Sequence, residues 1–594
     1  MRQPRIIIVG GGLAGLMAAI RVAEAGVPLD LFSIVPVKRS HSVCAQGGIN
    51  AAKNQKGEGD TTWKHFDDTV YGGDFLANQT LVKRMCEAAP GIIDLLDRMG
   101  VTFNRTPEGL LDYRRFGGTL YNRTAFAGAT TGQQLLYALD EQVRRHESEG
   151  GVKKFEGWTF LSAVLDEGGI CRGICAMDLR SMEVKTFPAD AVIFCTGGIG
   201  AIFGKSTNSV VCTGSAQSAL FQQGVDYANG EFIQVHPTAI PGEDKLRLMS
   251  ESARGEGGRV WVPRNPGDTR PAKGIPEKER FYFLEEWYPK YGNLVPRDIA
   301  TRAIHRIVYQ EKLGLNGQAA VYLDVSHIPR DVLDRKLEGI LDIYQKFLGV
   351  DPREEPMKVF PGMHYTMGGM WVNAEDQATS VPGIFAAGEC EYQYHGANRL
   401  GANSLVSCIF GGSIAGPAAV KYAKNLEKGA EAAPAGIFEA ERNRQEEKNR
   451  ALIAQEGTQN PLVIWREMGE VMTEHVTVTR VNKDLETTYN KLLELTARYS
   501  KLNVSDRSSW SNQTLNFVRE LGNMLVLARV ITMGAYSRNE SRGAHYKPEF
   551  PERNDANWLK TTRAKWADGE IHLTYEPVDI SLLPPRARRY DAAK

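Results

Sequence analysis

Five short segments of the 594-residue chain place arginine, histidine or glutamate beside glycine or proline, and these residue types could bind and process a small acid. The segments are VHPT (235–238), SESARGEGG (250–258), LVPRDIATRAI (294–304), HYTMGG (364–369) and GANRLGANSL (396–405). Arginine offers a bidentate fork to a carboxylate, and histidine adds directional donors. Each segment alone could equally be a capped helix, a surface ion pair or a satisfied core histidine. Together they predict a site for a small dianion such as a dicarboxylate.

A sixth segment, RSHSVCAQGG (39–48), has the composition of a loop that contacts a ligand. Its histidine, His41, is flanked by two serines and followed by paired glycines, which let the backbone approach a ligand closely. An isolated loop histidine is usually just solvated, so the case depends on the surrounding elements. We predict that His41 contacts a cofactor and holds it covalently.

The sequence lacks the patterns of several other chemistries. The eight cysteines are scattered without a CxxC pair, which argues against an iron–sulfur or zinc site and against a disulfide scaffold, and favours a reducing compartment. There is no HExxH pattern and no defensible Ser–His–Asp set. Redox chemistry on an acid substrate therefore fits best, and we predict no metal ligands.

The charge and length of the chain further limit the class of protein that it can be. Lys plus Arg and Asp plus Glu number 71 each, so no global field would recruit nucleic acid or an anionic membrane. A chain of this length predicts about two to four domains. Strand-like sequence begins by Arg5, which leaves no room for a signal peptide. The uncharged run at 400–420 contains Asn403 and Pro417, so we predict a buried helix instead of a membrane span.

The elements that could position these residues begin with a nucleotide-binding pattern. RIIIV predicts a strand, GGGLAG (10–15) predicts a tight turn, and the residues after it predict a helix. Gly10, Gly12 and Gly15 have the GxGxxG spacing of a dinucleotide fold in the required context. The alternative is a glycine-rich turn with no ligand.

Later segments extend this pattern into an α/β fold. The second strand, LDLFSI (29–34), ends near Ser33 where an acidic residue usually holds the ribose, so that contact must be weaker or come from other groups. VKKF (152–155) and the two apolar runs after it predict successive strands of a small antiparallel layer. AVIFCTGGIG (191–200) predicts a buried strand that ends in a second glycine turn. The predicted division is a Rossmann-like domain built from separated segments (1–240 and 356–426), an inserted α+β capping domain (241–355), a helical domain (437–540) and a small C-terminal domain (541–594).

Taken in order, these motifs resemble the flavoprotein subunit of succinate dehydrogenase and fumarate reductase. The resemblance is carried by GGGLAG, RSHSVCAQGG, HPT, SESARGEGG, PRD, HYTMGG, AAGE, NRLGANSL and SRNESRGAHYKPEFPERNDANW, and it runs from residue 5 to about 562. NGEFIQVHPTAIPG and LRLMSESARGEGGRVW are similar to the form found in Bacillus-type complexes. The resemblance implies an FAD-dependent enzyme that interconverts succinate and fumarate.

The resemblance also implies roles for individual residues toward FAD. His41 would be joined to the 8α-methyl group of the flavin. The other residues expected to line the cofactor are Gly10, Gly11, Gly12, Leu13, Ala14, Gly15, Ser33, Ser40, Ser42, Gln46, Gly47, Gly48, Ser215, Glu389, Ser404 and Leu405. Ser215 departs from the family, which often has Asp in a GDG turn where this chain reads Thr-Gly-Ser, so a hydroxyl contact would replace a carboxylate contact.

For the substrate, the resemblance implies a carboxylate clamp and a proton pathway. The clamp would consist of His236, Ser250, His364 and Arg399, with Ser250 where the family more often has Thr. Arg297 would transfer the proton and would connect to solvent through Glu251 and Arg254. The residues alone would favour His364 or Glu251 as the base, because arginine normally stays protonated.

Electrons from the reduced flavin must leave the chain, and the resemblance supplies the partners. It implies an iron–sulfur subunit and a membrane cytochrome b that reacts with a quinone. The chain would then be peripheral at the cytoplasmic face of the cell membrane. Helices within 437–535 and the basic, aromatic C-terminal tail are candidate docking surfaces, although an ordinary solvated face is an equal alternative for any one patch.

Two other functions remain open at this stage. A soluble enzyme like L-aspartate oxidase would share the fold and the dicarboxylate clamp, but that relative lacks the flavin-linking histidine that we assign to His41. A non-catalytic FAD-binding subunit would show no effect of dicarboxylates on its flavin spectrum.

Overall fold

A five-stranded parallel sheet forms the centre of the nucleotide-binding part of the protein, in a computed structural model that describes residues 3–590. Its strands, in spatial order, are Ile384–Ala386, Ala191–Phe194, Ile6–Val9, Leu29–Ser33 and Val152–Glu156. They come from widely separated parts of the chain. The prediction of an α/β fold with a Rossmann-like domain built from separated segments is therefore confirmed.

The prediction for VKKF was wrong. Strand Val152–Glu156 pairs in parallel with Leu29–Ser33 at the edge of the central sheet, not with the antiparallel layer. That layer consists of Trp158–Leu165, Cys171–Asp178 and Val184–Pro188. The strands on either side of Gly157 join different sheets because this glycine has a φ of 80°, and its amide donates to the carbonyl of Ser33 at 2.8 Å. The apolar pattern alone does not reveal this turn.

The glycine turn between strand Ile6–Val9 and helix Leu13–Glu24 has no room for side chains. Gly10 has a φ of 114°, and a Cβ there would overlap the carbonyl oxygen of Cys195 on the neighbouring strand. A Cβ on Gly15 would overlap the carbonyl oxygen of Gly10. These two glycines let the helix start close against the sheet.

Replacing Gly10 with Ala is expected to lower the free energy of unfolding by about 2–4 kcal/mol, because it adds both a steric overlap and an unfavourable φ. Gly91→Ala is the matched control, since Gly91 lies within helix Gln79–Arg98 and a Cβ there meets nothing within 4 Å. Chemical denaturation followed by circular dichroism measures both. Equal stability of the two variants would contradict the packing argument.

A six-stranded sheet lies across the inserted segment. Its strands, in spatial order, are Arg247–Leu248, Ile233–Ile240, Met357–Thr366, Val321–Asp324, Arg259–Pro263 and Arg280–Phe281. The helices of this part are Ser252–Gly255, Phe283–Trp287, Arg297–Tyr309, Arg330–Lys336 and Glu338–Leu348. Two long strands of the sheet, Ile233–Ile240 and Met357–Thr366, come from outside residues 241–355. The domain boundaries stay a prediction.

The remaining elements surround these two sheets. The helices are Thr62–Gly72, Gln79–Arg98, Thr131–Ser148, Ser215–Phe221, Asn403–Asn425, Ala435–Ile453, Pro461–His475, Asn482–Tyr499, Gln513–Ser537 and Asp555–Trp558. The strands form two further small sheets, Ile49–Asn50 with Thr124–Ala125 and Tyr113–Arg114, and Gly369–Met370 with Tyr227–Ala228, Lys560–Ala567 and Glu570–Pro577.

Helix Asn403–Asn425 is the element that contains most of the long uncharged run. By length and composition alone it could cross a membrane, but 67% of its most apolar stretch is buried inside the protein. It packs closely on helix Leu13–Glu24, since a Cβ on Gly412 would overlap the carbonyl oxygen of Ala14. The predicted buried helix is what the structure shows.

Candidate functional site

A cavity of about 490 Å³ lies where the glycine turn, the 39–48 loop and the six-stranded sheet meet. The sequence-predicted residues on its wall are Gly10, Gly11, Gly12, Leu13, Ala14, Ser33, Ser40, His41, Ser42, Gln46, Gly47, Gly48, Ser215, His236, Ser250, Glu251, Arg297, His364, Glu389, Arg399, Ser404 and Leu405. Two predicted residues are not on the wall. Gly15 packs beneath the turn, and Arg254 contacts Glu251.

One end of the cavity has the features of a dinucleotide site. Helix Leu13–Glu24 begins there after Gly12, which has no capping side chain, and the amide of Leu13 donates to Ser42 Oγ at 3.3 Å. The positive end of the helix dipole therefore lies at the cavity. Three buried polar atoms, Ser40 Oγ, Gln46 Oε1 and Thr196 Oγ1, have no hydrogen-bond partner within residues 3–590. Buried polar groups are normally satisfied. These residues therefore fit a polar ligand such as FAD.

Ser33, Ser215 and Glu389 also line the cavity, and they differ in the hydrogen bonds that they already make within the protein. Ser33 donates to the carbonyl of Val35 at 2.6 Å, so its hydroxyl is already engaged. Ser215 Oγ accepts from Asn523 Nδ2 at 2.8 Å. Glu389 Oε1 accepts from the amide of Thr366 at 3.1 Å, but burial raises the pKa of Glu389 to about 7. Near neutral pH, Glu389 can therefore either donate or accept a hydrogen bond.

His41 lies in the short helix His41–Cys44, and both of its ring nitrogens have neighbours. The amide of Ser209 donates to Nδ1 at 3.2 Å, and Nδ2 of Asn208 is 3.2 Å from Nε2. Burial, assisted by Lys245, lowers the pKa of His41 to about 4. The imidazole is therefore neutral near pH 7, and because Nδ1 accepts, the ring proton is assigned to Nε2.

Glu251 connects two arginines at the other end of the cavity. Its Oε2 accepts from Nε and Nη2 of Arg297 at 3.0 and 2.8 Å, and its Oε1 accepts from Nη2 of Arg254 at 2.9 Å. Burial alone would raise the pKa of Glu251, but Arg297 and Arg254 outweigh burial and hold it below the usual value. The three side chains form a buried hydrogen-bonded row with one net positive charge.

Two neutral histidines and a third arginine lie beside this row. The rings of His236 and His364 are 5.1 Å apart, and burial lowers both pKa values well below the usual range. His236 Nδ1 accepts from the amide of Thr238 at 3.2 Å, which leaves its buried Nε2 as a donor with no partner among the described residues. Burial, followed by the charge of Arg297, lowers the pKa of Arg399 to about 9. Neutral donors and cations together suit a dianion.

The remaining contacts of the predicted carboxylate clamp are those of Ser250 and Arg399. Ser250 Oγ lies 2.8 Å from Ser252 Oγ and accepts from the amide of Ser252 at 3.2 Å. The guanidinium of Arg399 stacks over the ring of Tyr365 at 4.3 Å, and its buried Nε has no partner within residues 3–590. A carboxylate would satisfy such a group.

Sequence reasoning missed several residues on the cavity wall. Lys245 lines the cavity and donates from Nζ to the carbonyl of Asn208 at 2.7 Å. Glu520, from helix Gln513–Ser537, also lines it, and burial raises its pKa to about 7. Neither lies in a recognisable motif. Glu520 is contributed by a helix more than a hundred residues beyond the last predicted site residue.

Comparison with known proteins decides the family. The family model described as an FAD binding domain matches residues 5–405, and the one described as a fumarate reductase flavoprotein C-terminal region matches 465–590. The succinate dehydrogenase flavoprotein subunit of Bacillus subtilis is 62% identical over 100% of both chains. The fumarate reductase flavoprotein subunit of Escherichia coli K12 is 36% identical over 99% of this chain and 96% of the relative. A solved structure of E. coli quinol fumarate reductase aligns with a TM-score of 0.91, at 33% identity and 100% coverage of both chains.

The chain belongs to the family of succinate dehydrogenase and fumarate reductase flavoprotein subunits. It is an FAD-dependent oxidoreductase, as the resemblance implied. All of its predicted site residues lie within the match to the FAD-binding domain, because the last of them is Leu405. The C-terminal match begins at residue 465 and includes Glu520, which reaches the same cavity.

Proposed function

We propose that this flavoprotein subunit interconverts succinate and fumarate, with FAD bound covalently through His41. The proposal rests on one observation. Arg297 and Glu251 line the same cavity as His236, His364 and Arg399. FAD, when bound, would accept or supply the hydride. The residues of the chain would bind the dicarboxylate, exclude water and move the proton.

The clamp would hold the two carboxylates of the substrate. Arg399 would supply a cation whose buried Nε has no partner in the part of the chain that the structure describes, and His236 would donate from Nε2. His364, whose Nδ1 lies 2.7 Å from Thr207 Oγ1, and the hydroxyl of Ser250 would complete the clamp. Because burial keeps the histidines neutral, the positive charge in the clamp comes from arginine. Protonation of these histidines should therefore not control binding near pH 7.

Arg297 would transfer the proton at Nη1 or Nη2. Its Nε and one hydrogen on Nη2 are directed to Glu251, and one hydrogen on Nη1 is directed to Gln234 Oε1 at 3.0 Å. A guanidinium has five N–H groups, so one on each terminal nitrogen is left. Glu251 and Arg254 would then return the proton toward solvent.

His41 has the protonation state that a covalent link to FAD needs. A neutral imidazole is a nucleophile, and burial keeps His41 neutral near pH 7. The amide of Ser209 occupies the Nδ1 lone pair, so Nε2 is the nitrogen that would carry the flavin. Its N–H proton and one proton of the 8α-methyl group would be lost as the N–C bond replaces a C–H bond, and the flavin itself would take up the two electrons. Asn208 places an amide nitrogen near the same atom, and displacement of that contact would accompany linkage.

We further propose that the electrons pass to or from an iron–sulfur subunit and a membrane cytochrome b that reacts with a quinone. The similarity to quinol fumarate reductase supports this assignment. The chain would be held at the cytoplasmic face of the cell membrane through these subunits. The helices within 437–535 stay a candidate docking surface.

The test is turnover of the purified chain with succinate and a soluble dye as electron acceptor. We expect succinate-dependent dye reduction, and we expect malonate to shift the flavin spectrum because it fills the clamp but lacks the second methylene that dehydrogenation requires. Peroxide formation with aspartate in place of succinate would instead indicate an L-aspartate oxidase-like enzyme. Absence of any dicarboxylate effect on the spectrum would indicate a non-catalytic FAD-binding subunit.

A further inference from the structure

Residues 586–590, which we call the C-terminal strap, contact two parts of the protein that flank the proton pathway. On one side the strap binds helix Thr62–Gly72. The amide of Arg589 donates to the hydroxyl of Tyr71 at 2.6 Å, and Arg586 Nη2 lies 2.7 Å from Asp67 Oδ2. These contacts hold the strap against helix Thr62–Gly72.

On the other side the strap contacts the first turn of helix Arg297–Tyr309. Arg588 Nη1 and Nη2 donate to the two carboxylate oxygens of Asp298 at 2.5 and 3.0 Å, which is a bidentate pair. The side chains of Arg588 and Asp298 are only 7% and 1% exposed, so this pair is not an ordinary surface ion pair. Asp298 directly follows Arg297, the proposed proton-transfer residue.

Tyr590, the last described residue of the strap, packs against the same part of the protein. The ring of Tyr590 lies 5.5 Å from that of Tyr71 and 5.0 Å from that of Tyr291. Tyr291 begins the segment 291–298, whose Asn293 carbonyl accepts from Nη1 of Arg254 at 2.7 Å. The strap therefore contacts both ends of the segment that leads into Arg297 and that also holds Arg254.

We propose that Arg588 is a positioning residue for proton transfer. Through Asp298 it fixes the start of the helix, so that Nη1 and Nη2 of Arg297 keep their direction toward the substrate. The inference rests on the proposed function of Arg297. Asp298 has one other arginine partner within residues 3–590, Arg302, at 3.3 Å on the same helix. Arg302 Nη1 also donates to the carbonyl of Gly543 at 2.6 Å, so this contact ties the helix to a different element from the strap. Only Arg588 links Asp298 to the strap.

The test compares Arg588→Ala and Arg588→Lys with Arg589→Ala in the flavin-loaded chain. Arg589 is exposed and belongs to the same strap, so its replacement removes the same charge without touching Asp298. For Arg588→Ala we expect kcat for succinate to fall by between about ten- and a hundredfold, because small displacements of a reacting group have effects of this size. The dissociation constant of malonate should change less than about twofold, since the clamp is untouched. Arg588→Lys keeps the charge but not the fork, so its kcat should be intermediate.

A second measurement separates positioning from a loss of folding. If Arg297 is displaced, proton transfer becomes slower than the other steps, and the solvent deuterium isotope effect on kcat should rise in Arg588→Ala but not in Arg589→Ala. Should Arg588→Ala fail to fold, Arg588→Lys carries the same isotope test. An unchanged kcat, or a fall in kcat with no change in isotope effect, would overturn the proposal. Failure of the wild-type chain to oxidise succinate would instead refute the proposed function itself.

Discussion

Replacing Arg297 with Ala is expected to reduce succinate turnover by about 10²–10⁴-fold, the usual contribution of a positioned acid–base group. Arg297 touches the cavity and is held through Nε, Nη1 and Nη2 by two acceptors, Glu251 and Gln234. Alanine removes the proposed proton carrier and leaves Glu251 with Arg254 as its remaining hydrogen-bonded arginine. The flavin should stay with the polypeptide, because Arg297 makes no contact with His41 or the glycine turn.

Three measurements define this result. Dye reduction by succinate gives turnover, flavin fluorescence on a denaturing gel gives cofactor content, and a malonate titration of the flavin spectrum gives binding. Arg306→Ala is the matched control, because Arg306 lies on the same helix, is mostly exposed and pairs with Glu311 at the surface. It should behave like the wild type. Turnover close to the wild-type rate in Arg297→Ala would remove Arg297 from the mechanism.

The choice of Arg297 shows what the sequence could and could not provide. From residue types alone, Glu251 was a reasonable base. The structure shows that its two oxygens are occupied by Arg297 and Arg254 and that its pKa lies below the usual value. Arg297 is 46 residues away in the chain, so the contact that changes the role of Glu251 depends on tertiary packing.

Local backbone requirements were easier to predict from the sequence than long-range contacts were. The glycine turn was predicted correctly because Gly10 needs a positive φ and Gly15 needs close packing, and both needs are fixed by near neighbours and one adjacent strand. The parallel pairing of Val152–Glu156 was missed because a short, half-exposed strand has the same apolar pattern in either sheet. Asn208 and Arg588 were missed because each acts on a residue more than 160 positions away.

His41→Ser is expected to abolish the proposed covalent link to FAD and to reduce succinate oxidation more than fumarate reduction. A serine hydroxyl is not a nucleophile without an adjacent base, whereas the imidazole of His41 is neutral and buried near pH 7. Replacing an alkyl hydrogen of the 8α-methyl group by an imidazole nitrogen withdraws electrons from the flavin ring and so raises its reduction potential. For a two-electron couple, each loss of about 30 mV changes the equilibrium constant about tenfold. Oxidation of a saturated acid, which needs the higher potential, should therefore suffer first.

A denaturing gel viewed under ultraviolet light decides the first part of this prediction. The wild-type polypeptide should fluoresce and His41→Ser should not, although FAD should still be present in the native variant because the glycine turn and the serines of the loop are unchanged. His572→Ser is the control, since His572 is exposed on strand Glu570–Pro577, and it should retain both the fluorescence and the activity. Fluorescence that persists in His41→Ser would assign the link to another residue. Equal losses in the two directions of turnover would mean that His41 secures the cofactor without setting its potential.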